Sequence, residues 1–246
     1  MSELINQLEG ILSEEFTDED GEAYQAKLLP ALSIREIAAL EAQMPSATIP
    51  QEVNKLLSYS RGINFGWFQP VSFDAFGEFG LLGLFPACIE LRSDGAGNFW
   101  LLDINKGGEW GAVFYVCHDP PVVVRQANNL WDFLRQLHEH AKREPDAWLD
   151  EVYDHLVFKI WEERKMHSGL VAAAVAATSA DAVLSQFAAR QPPEFLLGDL
   201  RVGSITVGFA YEKFFRDRSQ QVYKHETEPM WAFEPPKYGW FSRLFG

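Results

Sequence analysis

The chain has 246 residues, of which 47% are hydrophobic and 23% are charged. These fractions are typical of globular proteins and exclude general disorder. The net charge of −14 comes from 21 basic and 35 acidic residues. Because nucleic-acid binding needs clustered cations that face phosphates, this balance argues against it. It suits either solubility or a basic partner that is attracted electrostatically.

The acidic charge is concentrated at the start of the chain. Residues 1–30 contain eight acidic residues and a single basic one, Lys27. Apolar residues from Leu4 to Leu12 recur at spacings of three and four, which predicts a helix over residues 3–16, followed by a loop over residues 17–22. We therefore expect an acidic N-terminal helical arm over residues 1–30.

Two short helices are predicted next. Ser33 and Glu36 have the spacing of a capping box, in which each side chain bonds the backbone of the other residue. Pro50 suits the first position of the second helix, and Gly62 suits its end.

The following pattern is that of an antiparallel meander, since apolar runs alternate with turn residues at intervals of roughly ten. A helix then follows, because Asn129 can cap its start and its apolar residues lie on one face. The predicted strands are 80–91 (one or two strands), 99–104, 111–117 and 122–124, the turns between them are 93–98, 106–108 and 119–121, and the helix is 130–141.

Residues 145–246 are expected to form a helical extension with at least one strand. The alternation from Arg201 to Tyr211 predicts that strand, with a tail over residues 238–246 that is poorly ordered unless it docks. The predicted helices are 146–167, 169–177 and 180–190. The expected fold is α+β, a mainly antiparallel sheet flanked by helices, with a central domain over residues 31–144.

Residues that could support catalysis or ligand binding do not form a recognisable motif. Cys88 and Cys117 both lie in apolar runs, which predicts buried thiols in a reducing compartment. His138 and His140 are two positions apart, whereas a metal pair on a helix favours four. We expect no cofactor and no metal. With no signal peptide and no apolar run long enough to span a bilayer, we also expect a cytoplasmic protein without membrane contact.

Three segments together resemble the SUKH superfamily, whose founding branch is the Knr/Smi-type cell-wall-regulator domain. The order and spacing of these segments cover about residues 31–140. They are Leu40-Glu41 with Ile49-Pro50, Leu56-Leu57 and Arg61-Gly62; the run Asp94-Gly-Ala-Gly-Asn-Phe-Trp-Leu-Leu-Asp103; and Gly111-Ala-Val-Phe-Tyr-Val-Cys-His-Asp119 with Leu130-Trp-Asp-Phe-Leu134.

The resemblance implies a non-enzymatic protein, because most bacterial members are immunity proteins that bind and block a delivered toxin, often a nuclease or deaminase. A cognate toxin is therefore the expected partner. The alternative is an interaction scaffold or regulatory module, as in the fungal branch. A third reading is an enzyme that uses the His118-Asp119 turn.

The candidate partner-binding residues cluster in sequence around the turns of the meander. They are Asp94, Asp103, Glu109, Trp110 and Asp119. Glu109 and Asp119 are the expected charged contacts, and Trp110 is the expected anchor, because aromatic residues beside acids often dominate binding energy.

Overall fold

A computed structural model describes residues 2–18, 20–66, 68–77, 83–145, 147–164, 169–204, 206–211 and 221–235. Helices and antiparallel strands together confirm the predicted α+β class. The helices are α1 (Glu3–Leu12), α2 (Ile34–Glu41), α3 (Gln51–Tyr59), α4 (Leu130–Ala141), α5 (Trp148–Asp150), α6 (Val157–Glu163), α7 (Ala173–Ala176) and α8 (Ala182–Ala189), with a π-helical segment (Glu151–Leu156) between α5 and α6.

The strands are short outside the meander. They are β1 (Phe16–Thr17), β2 (Ala23–Tyr24), β3 (Lys27–Leu28), β4 (Gly62–Asn64), β5 (Val71–Ser72), β6 (Cys88–Ser93), β7 (Phe99–Ile104), β8 (Trp110–His118), β9 (Pro121–Ala127), β10 (Leu170–Ala172), β11 (Leu196–Asp199), β12 (Gly208–Ala210), β13 (Val222–Lys224) and β14 (Met230–Phe233).

Helix starts in the central region follow the predicted caps. Ser33 and Glu36 form the capping box, with the Glu36 carboxylate accepting from the Ser33 backbone N–H at 2.8 Å. Asn129 caps α4 by accepting from the Asp132 backbone N–H at 2.8 Å. These local bonds satisfy free amides at each helix start, so they can be predicted from sequence.

The meander forms a five-stranded antiparallel sheet in the order β12-β9-β8-β7-β6. Its edge strand β12 comes from the extension and pairs Gly208 with Val124. The predicted strand over residues 201–211 is therefore too long. Residues before β12 form a turn, in which the Ser204 hydroxyl donates a hydrogen bond to the Asp199 carbonyl at 2.8 Å.

The predicted helix over residues 169–177 is also partly wrong. Its first residues form β10, which pairs with β11, and only Ala173–Ala176 is helical. Strand pairing in a second sheet thus outweighs the helix propensity of the alanines. The predicted helices over residues 146–167 and 180–190 are confirmed where described, whereas the aromatic tail lies outside the described residues.

The second sheet has four strands in the order β10-β11-β14-β13. Four layers pack on one another in this order: a layer of helices, the five-stranded sheet, the second sheet, and helices α7 and α8. Between the two sheets, Phe114 packs at right angles to Trp231, whose ring also contacts Phe85 and Phe209. On the outer side of the second sheet, Phe187 and Met230 belong to a smaller core.

The two cysteines are free and buried, as predicted. Burial raises the pKa of Cys88 to about 12, and burial also raises the pKa of Cys117. Both are therefore protonated thiols at neutral pH. Within the described ranges, none of the helices has the length and apolar character that a bilayer crossing requires.

Candidate functional site

The turns of the meander lie at two opposite ends of the five-stranded sheet, because consecutive turns of an antiparallel meander alternate between ends. The β6–β7 and β8–β9 turns place Asp94 and Asp119 at one end, the His118 end. The β7–β8 turn places Asp103, Glu109 and Trp110 near the other, the Glu109 end. The five candidate residues therefore form two groups and not one.

At the His118 end, Asp94 organises its own turn. Its carboxylate accepts from the Ala96 and Asn98 backbone N–H groups at 2.8 and 3.1 Å, and from the Asn98 side-chain amide at 2.6 Å. The Asn98 side-chain oxygen accepts the backbone N–H of His118 at 2.9 Å, which joins the two turns. Asp119 is exposed next to them.

The His118 side chain takes part in this turn structure. Its Nδ1 lies 3.2 Å from the Asn98 side-chain oxygen, and a Cβ on Gly97 would lie 3.1 Å from the same ring atom. On α4, His138 and His140 lie 3.2 and 2.7 Å from carboxylate oxygens of acidic residues. Across the described part of the chain, no three His, Cys, Asp or Glu side chains are grouped to hold a metal.

Arg92, which was not among the residues predicted from the sequence, lies near the His118 end of the sheet. Its guanidinium carbon is 4.2 Å from the Phe68 ring centroid and 4.9 Å from that of Trp100. Burial lowers its pKa to about 10, and its Nε and Nη1 atoms are buried without a hydrogen-bond partner. Phe68 lies outside the meander, so the sequence pattern gives no signal for this contact.

The Glu109 end is organised by Asn105. Its side-chain oxygen accepts from the Gly107 and Glu109 backbone N–H groups at 2.9 and 3.0 Å, and its amide donates to the Glu109 carboxylate at 2.8 Å. Glu109 is exposed. Trp110 is half-buried and its indole nitrogen is buried without a partner, so only part of the ring faces outward.

Asp103 lies in the interior of the protein, and its side chain does not reach the surface at the Glu109 end. Its Oδ2 is 2.9 Å from Nζ of Lys224 on β13, and each side chain is only 7% exposed. Burial raises the pKa of Asp103, and the Lys224 ammonium opposes that shift. Nearby, Lys106 and Glu226 form an exposed ion pair at 2.5 Å. Asp103 thus ties the extension to the central sheet.

A cavity of about 930 Å³ is lined by residues of both sheets, and no sequence pattern predicts it. Its charged lining is largely paired. Arg201 donates to both Asp181 and Asp199, and these bonds raise the Arg201 pKa. Arg125 donates to the Leu200 carbonyl at 3.3 Å, and burial lowers its pKa.

The helix pair, the meander and α4 make up the central region, which is similar in sequence to the SUKH superfamily. The model that matches is that of the SMI1 / KNR4 family (SUKH-1), over residues 31–136, and it confirms the resemblance noted from the sequence. This family is not a known family of enzymes. No curated protein and no solved structure matches the chain. Helix α1 and the extension lie outside the matched residues.

Proposed function

We propose that this protein is a cytoplasmic immunity protein that binds a cognate toxin and occludes it. The SUKH match over residues 31–136 is the observation that carries the proposal. The net charge of −14 supports a basic toxin, such as a nuclease or deaminase, because opposite charges speed association.

The exposed acids at the two ends of the sheet are the proposed charged contacts. Asp119 at one end and Glu109 at the other face outward, and Asp94 is partly exposed beside Asp119. Trp110 offers part of its ring next to Glu109. Asp103 is no longer part of the proposed surface, because its buried pairing with Lys224 removes it from any partner.

A growth assay tests this function. The reading frames that flank this gene are expressed in a sensitive host, each with and without the protein. We expect toxicity from one frame that the wild-type protein alone relieves. If neither frame is toxic, or toxicity persists with the protein present, the immunity proposal is contradicted and the scaffold alternative becomes the better one.

Charge reversal then tests the surface. Glu109→Lys and Asp119→Lys, singly and together, should reduce protection and slow association with the purified toxin. Glu194→Lys is the matched control, since Glu194 is an exposed acid on the extension. Equal association rates for all the variants would show that these acids are not contacts.

A further inference from the structure

A groove of about 400 Å³ runs between α1 and α4. Leu8 and Ile11 of α1 are buried below it in the main core. The residues that line the groove are Glu3, Asn6, Gln7, Gly10, Trp131 and His138. None of its lining residues belongs to the meander turns, and the part contributed by α1 falls outside the matched family residues.

Gly10 occupies a position where packing does not require glycine. It lies in the last turn of α1, where glycine lowers helix stability relative to alanine by up to about 1 kcal/mol. A Cβ built on Gly10 would meet nothing within 4 Å. Glycine at this position thus leaves the wall of the groove open. No contact within the folded chain explains why the helix carries this less stable residue.

Trp131 provides the opposite wall. The apolar residues of α4 that face the core, such as Phe133 and Leu134, are fully buried, whereas Trp131 is 41% exposed. An accessible indole face attracts a cation, and tryptophan is among the residues that most often dominate binding energy at interfaces.

The charges around the groove indicate where a cation would be held. At one end, Glu14 is occupied by Lys142 at 3.0 Å and by His138 at 3.2 Å. Glu9 accepts a hydrogen bond from the Tyr59 hydroxyl. At the other end, the exposed Glu3 carboxylate has no hydrogen bond or ion pair to any residue in the described ranges, and α1 carries no basic residue.

We propose that this groove binds an arginine side chain of a basic protein partner. The guanidinium stacks on Trp131, pairs with Glu3 and fills the space that Gly10 leaves. This inference rests on the proposed function for the identity of the partner, and it adds a contact that the meander turns do not supply. The cavity of about 930 Å³ described above is less suited to this role, because Arg201 already neutralises Asp181 and Asp199 there.

The first test uses a tetra-arginine peptide as the probe and the full chain labelled with ¹⁵N in its tryptophan indoles. We expect the Trp131 indole signal to shift on titration. The indole of Trp148 is the internal control, because it is 37% exposed and donates to the Gln126 carbonyl at 2.9 Å. A tetra-glutamate peptide should shift neither signal. If the Trp131 signal is unmoved by tetra-arginine, the groove proposal is wrong.

A second test fills the groove with a side chain that should not destabilise the folded protein. Gly10→Leu should weaken binding of the peptide at least tenfold while favouring the helix, and Glu3→Gln should weaken it less. Ala39→Leu is the matched control, since it adds the same side chain at an exposed position of α2. Equal affinity for the Gly10→Leu and Ala39→Leu variants would overturn the proposal.

The growth assay separates this inference from the proposed function. If wild-type protein and the Gly10→Leu variant protect the host equally, the groove is not the contact although immunity stands. If wild-type protein gives no protection but the peptide shifts Trp131, the groove binds arginine and the immunity proposal fails.

Discussion

One face of the five-stranded sheet is covered by helices and the other by a second sheet. Helices α4 and α6 contact β8, β9 and β12 on the first face, where Trp100 and Tyr115 are buried. On the second face, Phe114 and Phe209 pack against Trp231 of β14. The family-matched residues thus provide four of the five strands of this sheet and part of its helical cover, whereas the extension supplies α6, the edge strand β12 and the whole second sheet. The extension is part of the core structure of this chain.

The strongest test of this comparison removes the extension. A fragment that ends at residue 144 would expose the face that carries Leu101, Phe114 and Val123, all fully buried in the whole chain. A large exposed apolar face promotes aggregation. We therefore expect the fragment to aggregate and to lack a sharp thermal transition, as measured by size-exclusion chromatography and near-ultraviolet circular dichroism. A monomeric fragment that melts cooperatively would show that residues 1–144 fold without the extension.

A matched pair of tryptophan substitutions compares the two faces directly. Trp231→Ala and Trp100→Ala each remove a large side chain that is at most 2% exposed, and each should cost about 3–5 kcal/mol of unfolding free energy. If the layers unfold together, urea transitions followed by fluorescence and by circular dichroism will coincide for both variants. Two separate transitions in the Trp231→Ala variant alone would mean that the second sheet opens independently.

A smaller effect is expected at the ion pair that links the layers. Lys224→Met leaves Asp103 buried without its cation, which should cost about 1–3 kcal/mol at neutral pH. Because burial holds the Asp103 pKa above its unfolded value, protonation of the folded form offsets this loss in acid. The deficit relative to wild type should therefore shrink as pH falls through the folded pKa, which urea titrations at several pH values would measure.

The control for this prediction is the double variant Asp103→Leu/Lys224→Met. Replacing both charges with apolar groups of similar size should recover most of the stability, because no buried charge is left unpaired. A pH-independent deficit in the Lys224→Met variant would contradict the assigned role of Asp103.

The predictable parts of the fold are those set by residues close together in the chain. The capping box at Ser33, the Asn129 cap and the meander turns all depend on bonds within a few positions, such as Asp94 with Asn98. The class, the helix over residues 130–141 and the buried cysteines follow from the same local patterns.

The features that were missed depend on partners distant in sequence. Leu170 lies in a strand because it pairs opposite Gly198, and the alanines that follow it favour helix only in isolation. Asp103 looks like a surface acid until Lys224 is brought beside it. Glu109 and Asp119 are close in sequence, but consecutive turns of a meander alternate between the ends of the sheet, so closeness in sequence does not place them on one surface.

The pairing of β12 with β9 has a consequence for biosynthesis. Gly208 joins Val124 only after about 80 further residues have been made, which takes on the order of 4 to 16 s at typical elongation rates. During that interval the nascent meander has an unpaired edge at β9 and lacks the partner layer for Phe114. The ribosome-bound chain therefore passes through a stage at which a chaperone can bind that face, and slower translation across residues 145–210 would lengthen it.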